Sequence, residues 1–210
     1  MTKTGVIRFM IAEDHLVVRV GLRSMLESQP DMAVVAEAAT GQEAVELYRK
    51  HRPDIVLMDL RMPRMNGVEA TIAIRAEFPH ARIVVLTTYH GDESIYQALR
   101  AGARAYLLKE IPRDEFLHAV RSVHAGEYCI PPAVAARLAQ RLAHPELSSR
   151  ELEVLRLIVD GLANKRIATV LSITESTVKN HVNSILAKLQ VEDRTQAATT
   201  ALRRGIVLWD

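Results

Sequence analysis

Five short apolar runs, each followed by a turn and an amphipathic stretch, constrain the first part of this chain more than any other feature. The runs are VIRFMIAED, MAVVAEA, DIVLMD, ARIVVLTT and ARAYLLKE. They are short, rich in β-branched residues and bounded by turn formers, so they read as strands rather than buried helices. Five strands alternating with helices imply a doubly wound α/β domain, a parallel sheet covered on both faces. The segments between them carry helix signals. Thr40 with Glu43, and Asn66 with Glu69, have the spacing of capping boxes. Leu16, Val20, Leu22 and Leu26 lie at spacings that roughly share one helical face. Pro112 stands at the start of the last helical stretch, where proline is tolerated.

Beyond Gly126 the pattern changes. EYCIPPAVAARLAQRLAHPE has two prolines, an alanine-rich patch and a His-Pro pair, and reads as a linker with a short helix. The remainder of the chain reads as helical: a segment opened by Ser148 and Glu151 as a capping box, then helices near Asn164–Leu171, Glu175–Leu189 and Arg194–Arg204. The expected organisation is therefore an α/β domain over 1–126, a linker over 127–145 and an all-α domain over 146–210.

Composition narrows the function classes only a little. The net charge is +2, and it divides as 0, +1 and +1 over those three segments, so bulk charge gives no sign of nucleic acid. The single cysteine, Cys129, rules out a disulfide framework within the chain and fits a reducing cytoplasm. No apolar stretch approaches a membrane span, and the expectation is a soluble cytosolic protein without a membrane partner.

The strand ends carry the chemistry. In open parallel sheets, ligands bind outside the carboxyl ends of the strands, where strand order reverses. Here those ends hold Glu13-Asp14, Asp59, Thr87-Thr88 and Lys109. Taken singly, each has a bland reading: a turn-forming aspartate, an acid pair at a helix start, a strand threonine, a surface lysine. The ordered set is much harder to explain that way. Two like charges about 4 Å apart cost on the order of 4 kcal/mol at an effective dielectric near 20. A proton or cation must offset that, and Mg2+ (or Mn2+) suits a carboxylate site that meets phosphate. The arrangement points to phosphoryl transfer, with Asp59 as the nucleophile, Lys109 and the metal neutralising charge, and Thr87 donating to a phosphoryl oxygen.

In these stretches the sequence resembles the two-component response regulators. IAEDH, IVLMDLRMPRMNG, VVLTT and AYLLKE fall in the order and spacing of a receiver domain, which has a five-stranded flavodoxin-like fold. The resemblance implies that Asp59 is phosphorylated by a sensor histidine kinase. It implies a metal site of Asp14 and Asp59, with Glu13 acting through water and Arg61 through its backbone carbonyl. It makes Thr87 and Tyr106 a switch pair and Lys109 the salt-bridge partner. Glu13 stands where many receivers have Asp. Glu110 replaces a frequent proline, which puts a cis bond there in doubt. Arg61 and Tyr89, near the site in sequence, are candidates for tuning the phosphoryl lifetime.

In SITESTVKNHVNSILAKLQV, Val178, Val182, Ile185, Leu186 and Leu189 follow helical spacing and form a buried face. The opposite face carries Ser176, Lys179, Asn180 and Asn183, and Thr174 is a candidate N-cap. Such a helix resembles the second helix of a helix-turn-helix motif. The segments ANKRIA, STVKNHV and KLQVEDRTQA resemble the LuxR-type DNA-binding domain, and the pairing with a receiver is that of the NarL subfamily. By that resemblance the DNA-facing candidates are Lys165, Arg166, Ser176, Thr177, Lys179, Asn180 and Asn183. By the same resemblance Lys179, Asn180 and Asn183 are the base-facing candidates. The implied partners are double-stranded promoter DNA and, after phosphorylation, a second copy of the chain.

Other classes fit less well. Magnesium phosphatases often carry a second acid two residues after the nucleophile, where this chain has Arg61. A nucleotide-binding oxidoreductase needs a glycine-rich turn after the first strand, and AEDHLVV has none. A regulator that senses a small molecule should be richer in aromatics, yet Trp209 is the only tryptophan. A receiver used only for dimerisation is at odds with the intact set of acidic and basic site residues.

Overall fold

The computed structural model describes residues 5–88, 91–142 and 145–207; Tyr89 and Trp209 lie outside them. The chain divides into two compact units, with a break after Ala135.

The first unit alternates strand and helix: β1 (Ile7–Ala12), α1 (Leu16–Glu27), β2 (Met32–Ala38), α2 (Gly41–His51), β3 (Ile55–Met58), α3 (Gly67–Glu77), β4 (Ile83–Thr87), α4 (Asp92–Arg100), β5 (Ala105–Leu108) and α5 (Arg113–Ala125). The strands form one parallel sheet in the order β2-β1-β3-β4-β5. Strand order therefore reverses between β1 and β3, which opens a crevice at their carboxyl ends.

Strand periodicity divides the core in two. Phe9, Ile11, Leu57, Val84, Leu86 and Leu107 meet Leu22 and Leu26 of α1 and Phe116 and Val120 of α5. Met10, Val56, Met58 and Ile83 point the other way, onto Ala44, Val45 and Tyr48 of α2 and Ala70 and Ile74 of α3. Fully burying one such side chain contributes about 1.5–3 kcal/mol. The apolar runs lack polar alternation because both faces of the sheet are covered.

One sequence expectation is corrected. Of the four α1 residues expected roughly to share one helical face, only Leu22 and Leu26 are buried; Leu16 and Val20 are exposed. The packed stripe runs through Val18, Leu22, Met25 and Leu26. That is the i, i+4, i+7, i+8 set, and Leu16 and Val20 lie off it. One of the three expected capping boxes also differs from expectation. Asn66/Glu69 and Ser148/Glu151 are reciprocal boxes. At α2 the Thr40 side chain accepts from the Glu43 N–H, but the Glu43 carboxylate accepts from Ala39 instead of Thr40. No cis peptide bond occurs among the described residues, the Lys109–Glu110 bond included.

Past Gly126 the chain stays with the first unit for several residues. The Cys129 N–H donates to Arg104 O at 3.0 Å, and Cys129 packs on the core beside β5. Then α6 (Pro132–Leu142) begins. The second unit contains α7 (Ser149–Val159), α8 (Asn164–Leu171), α9 (Glu175–Leu189) and α10 (Arg194–Arg204). Its core gathers Val154, Leu155, Ile158, Ile167, Val178, Ile185, Leu189, Ala197 and Ala201. No helix among the described residues is long and apolar enough to cross a membrane.

Candidate functional site

The turn after β3 explains why that strand ends on an acid. Asp59 donates its N–H to Ala12 O at 2.8 Å, so it continues the β1–β3 ladder by one residue. Its Oδ1 accepts the Leu60 N–H at 2.8 Å. The chain then doubles back until Gly67 donates to Leu60 O at 3.0 Å. A Cβ on Gly67 would sit 1.9 Å from Asp59 O, so only glycine permits this approach. The Asn66/Glu69 box starts α3 from the same turn. Asp59 is thereby held at the edge of the crevice with its side chain almost wholly buried.

Glu13 arrives beside it from β1. Its N–H donates to Ala38 O at 3.0 Å, and its residue is 1% exposed. Lys109 comes from the end of β5, its N–H donating to Thr87 O at 2.9 Å. The Lys109 ammonium lies 2.7 Å from Glu13 Oε2 and 3.1 Å from Asp59 Oδ2. One cation thus serves two buried carboxylates. Burial pushes the Asp59 carboxyl above the ordinary aspartate range; Lys109 pulls it down, and the Glu13 charge adds to the rise. Burial works against the Lys109 charge, yet its hydrogen bond to Glu13 and the Asp59 charge hold it above the ordinary lysine value.

Asp14 and His15 complete the rim. His15 Nδ1 is 2.8 Å from Asp14 Oδ1 and 3.3 Å from Glu13 Oε1. Ligand atoms of Glu13, Asp14 and His15 all lie within 4.8 Å of one another, an arrangement able to hold a metal ion. Asp59 is not in that close group; its Oδ2 meets Lys109 at 3.1 Å. Arg61 is exposed on the turn after Asp59.

Thr87 ends β4 and is fully buried, as is Tyr106 on β5. Val85 pairs with Tyr106 and Thr87 with Leu108. By strand alternation Thr87 and Tyr106 therefore share one face of the sheet, the face opposite α1 and α5. Sequence reasoning placed Glu13, Asp14, Asp59, Thr87 and Lys109 at the strand ends, and each lies at or just past the carboxyl end of its strand; Tyr106, named by the resemblance alone, lies within β5. The same reasoning missed His15, although the ring directly follows the acid pair, and it missed Arg19, whose Nη1 donates to Glu13 O at 2.5 Å.

The second unit presents a different surface. Thr174 caps α9, accepting the Thr177 N–H at 3.1 Å. Ser176, Lys179, Asn180 and Asn183 are exposed along α9, Thr177 is half-buried at the cap, and Lys165 and Arg166 are exposed at the start of α8. The preceding turn passes through Ser172 in the left-handed region (φ 53°). Lys179 has an i, i+4 contact with Glu175 at 3.8 Å, a weak surface pair. Behind the helix, buried Glu151 of α7 accepts from Ser184 Oγ at 2.6 Å, Lys188 Nζ at 2.7 Å and its capping partner Ser148 N at 2.7 Å. Burial opposes the Glu151 charge, but these donors win and lower its pKa to about 2. The sequence signalled the cap and not this anchorage. Arg194 reaches Asn164 Oδ1 at 3.1 Å and Leu162 O, and Arg150 reaches Leu171 O at 2.8 Å, so both ends of α8 are fastened.

A doubly wound sheet with an acid-and-lysine crevice, joined to a helix-turn-helix unit, defines a class: transcriptional regulators built on a receiver. The chain belongs to the response regulators of the LuxR type. Residues 9–121 match the response regulator receiver domain, and residues 145–201 match the bacterial regulatory proteins of the luxR family. The transcriptional regulatory protein LiaR of Bacillus subtilis is 43% identical over 209 residues, covering 96% of this chain and 99% of LiaR. Among solved structures, RcsB of Salmonella enterica serovar Typhimurium, bound to promoter DNA with the phosphomimetic BeF3−, matches with TM-score 0.72 and 26% identity. That match covers 93% of this chain and 98% of RcsB. A structure of two RcsB dimers on two parallel DNAs matches with TM-score 0.68 and 26% identity, over 94% and 98% of the two chains.

Proposed function

We propose that this transcriptional regulator is switched by phosphorylation of Asp59. A sensor histidine kinase, or a small acyl phosphate, presents the phosphoryl group. An Asp59 carboxylate oxygen forms the new O–P bond as the bond from phosphorus to the donor breaks. The observation that carries this reading is the single Lys109 ammonium shared by Glu13 and Asp59 at 2.7 and 3.1 Å. On this reading a charge-neutralising donor stands beside the attacking oxygen, in a site dry enough for the charge to count.

The residues fit a hard divalent cation, Mg2+ or Mn2+. Two adjacent carboxylates meet at the mouth of the crevice with a third acid behind them, an oxygen-rich donor set. Glu13, Asp14, Asp59 and the Arg61 carbonyl would hold the ion, Glu13 through water. When bound, it neutralises charge on the phosphoryl oxygens. Lys109 then moves from balancing two carboxylates to pairing with the phosphoryl group. The Thr87 hydroxyl donates to a phosphoryl oxygen, and Tyr106, on the same sheet face, follows the threonine.

The output is DNA binding. Lys179, Asn180 and Asn183 face base edges in the major groove, while Ser176, Thr177, Lys165 and Arg166 serve the backbone and the helix start. RcsB dimers on DNA support a dimer on paired half-sites for this chain as well. The working place is then the cytoplasm, with the DNA. We take the domains as a receiver over 1–126, a linker over 127–145 and a DNA-binding domain over 146–210. Footprinting on genomic DNA with and without acetyl phosphate tests the whole reading. Wild-type protein should protect paired half-sites more strongly with the donor, and Asp59→Asn should show no such gain. Equal response in both proteins would remove Asp59 from the switch.

A further inference from the structure

We propose that Arg19 is a positioning residue for the acidic turn that receives the divalent ion, and that Glu37 holds Arg19 in place. The proposal rests on the phosphoacceptor reading above. Within the turn at Glu13–His15, the His15 N–H donates to Glu13 Oε1 at 3.2 Å and His15 O accepts the Arg19 N–H at 3.0 Å. The Glu13 N–H is tied to Ala38 O at 3.0 Å. The Glu13 carboxylate is tied to Lys109 at 2.7 Å. Asp14 has no comparable hold on its side chain: it is 32% exposed, and the ring it meets, His15, is 70% exposed.

Arg19 supplies the missing anchor through the backbone. Its Nη1 donates to Glu13 O at 2.5 Å and lies 3.4 Å from Asp14 O. Engaging two successive carbonyls fixes the peptide planes on both sides of Asp14, and so fixes the direction in which its Cα–Cβ bond leaves the chain. The side chain is itself only 16% exposed. Its Nε lies 3.4 Å from Glu37 Oε2 on β2. Glu37 also meets Arg23 Nε at 2.7 Å. A planar guanidinium can serve carbonyls with one edge and a carboxylate with another; an ammonium cannot span both. The result is a chain of contacts from the acidic turn through α1 to the sheet. Groups that orient metal ligands in this way commonly carry about 10–100-fold in metal affinity.

The test measures Mn2+ binding to the full-length protein by electron paramagnetic resonance of the free ion, with Mg2+ as competitor. Arg19→Met should raise the Mn2+ dissociation constant about tenfold. Arg19→Lys should remain weakened, and Glu37→Gln should weaken binding by a smaller factor. Arg23→Met removes a cation from the same Glu37 but touches neither carbonyl, so its affinity should stay within about twofold of wild type. Metal-free melting of each variant is recorded alongside. Weaker binding by Arg19→Met with an unchanged melting temperature supports the role. Wild-type affinity in Arg19→Met overturns it. So does a loss that tracks a lower melting temperature, or an equal loss in Arg23→Met. If the wild-type protein shows no Mn2+ binding that Asp14→Asn abolishes, the phosphoacceptor reading itself fails, and that outcome is distinct from any of the others.

Discussion

Glu151→Gln should destabilise the DNA-binding unit by about 2–3 kcal/mol near pH 6, and the deficit should vanish in acid. In the structure Glu151 is 5% exposed and accepts hydrogen bonds from Ser184, Lys188 and the Ser148 N–H. Its carboxyl is held at about 2 instead of the ordinary 4.5. At about 1.4 kcal/mol per pH unit, that depression sets a ceiling of about 3.5 kcal/mol on the stability linked to its ionisation. Breaking a fully buried ion pair costs about 3–5 kcal/mol, but Lys188 is 29% exposed and can regain water, so the lower figure applies. The sign follows from the lowered pKa. The stability is present above pH 4.5, where the unfolded carboxyl is also ionised, and is lost as pH falls toward about 2. The assay is denaturant unfolding of wild type and variant across pH 2–7, then hydrogen exchange on α7 and α9 amides. Other carboxylates titrate alike in both proteins and cancel in the difference. A deficit below about 0.5 kcal/mol at pH 6, or one that persists unchanged on acidification, would refute the reasoning.

Three further outcomes are expected. Asp59→Asn should melt higher than wild type in metal-free buffer near neutral pH, because burial raises the Asp59 pKa and its ionised form opposes folding. The gain should shrink as pH falls from the raised native pKa toward the ordinary aspartate value, the window in which the native carboxyl takes up its proton first; scanning calorimetry at two pH values checks it. Gly67→Ala should cost the receiver about 1–3 kcal/mol, since its Cβ would lie 1.9 Å from Asp59 O, and chemical denaturation reads the loss. Lys179→Ala should weaken binding to the specific site about tenfold with the salt slope nearly unchanged, as a base-facing side chain requires, and without changing the fold, because the side chain is 64% exposed. Binding titrations at several salt concentrations separate these effects.

Much of the fold was legible because one physical signal dominated it. Strands buried on both faces write themselves as short β-branched runs, and their ends mark the crevice, so Asp59, Glu13 and Lys109 could be placed together before any coordinates. Helix faces were less legible. On α1 the exposed Leu16 and Val20 are as apolar as the buried Leu22 and Leu26, so composition could not separate the two stripes. Contacts made by long polar side chains across elements were not legible at all. Arg19 meeting the Glu13 carbonyl and Lys188 meeting Glu151 depend on how α1 and α9 are rotated against their neighbours, which sequence spacing does not encode. The stretch after Gly126 read as linker because of its prolines, yet Cys129 bonds back to Arg104 and packs on the core beside β5, a pairing between residues far apart in sequence.

Chemical mapping of the phosphorylated residue is the sharpest check. Full-length protein is incubated with acetyl phosphate and Mg2+, the acyl phosphate is reduced with borohydride, and the peptides are read by mass spectrometry. Conversion of Asp59 to homoserine is expected, dependent on both Mg2+ and Lys109. Homoserine at another carboxylate, or none at all under conditions where the protein remains folded, would contradict the assignment of Asp59 as the acceptor.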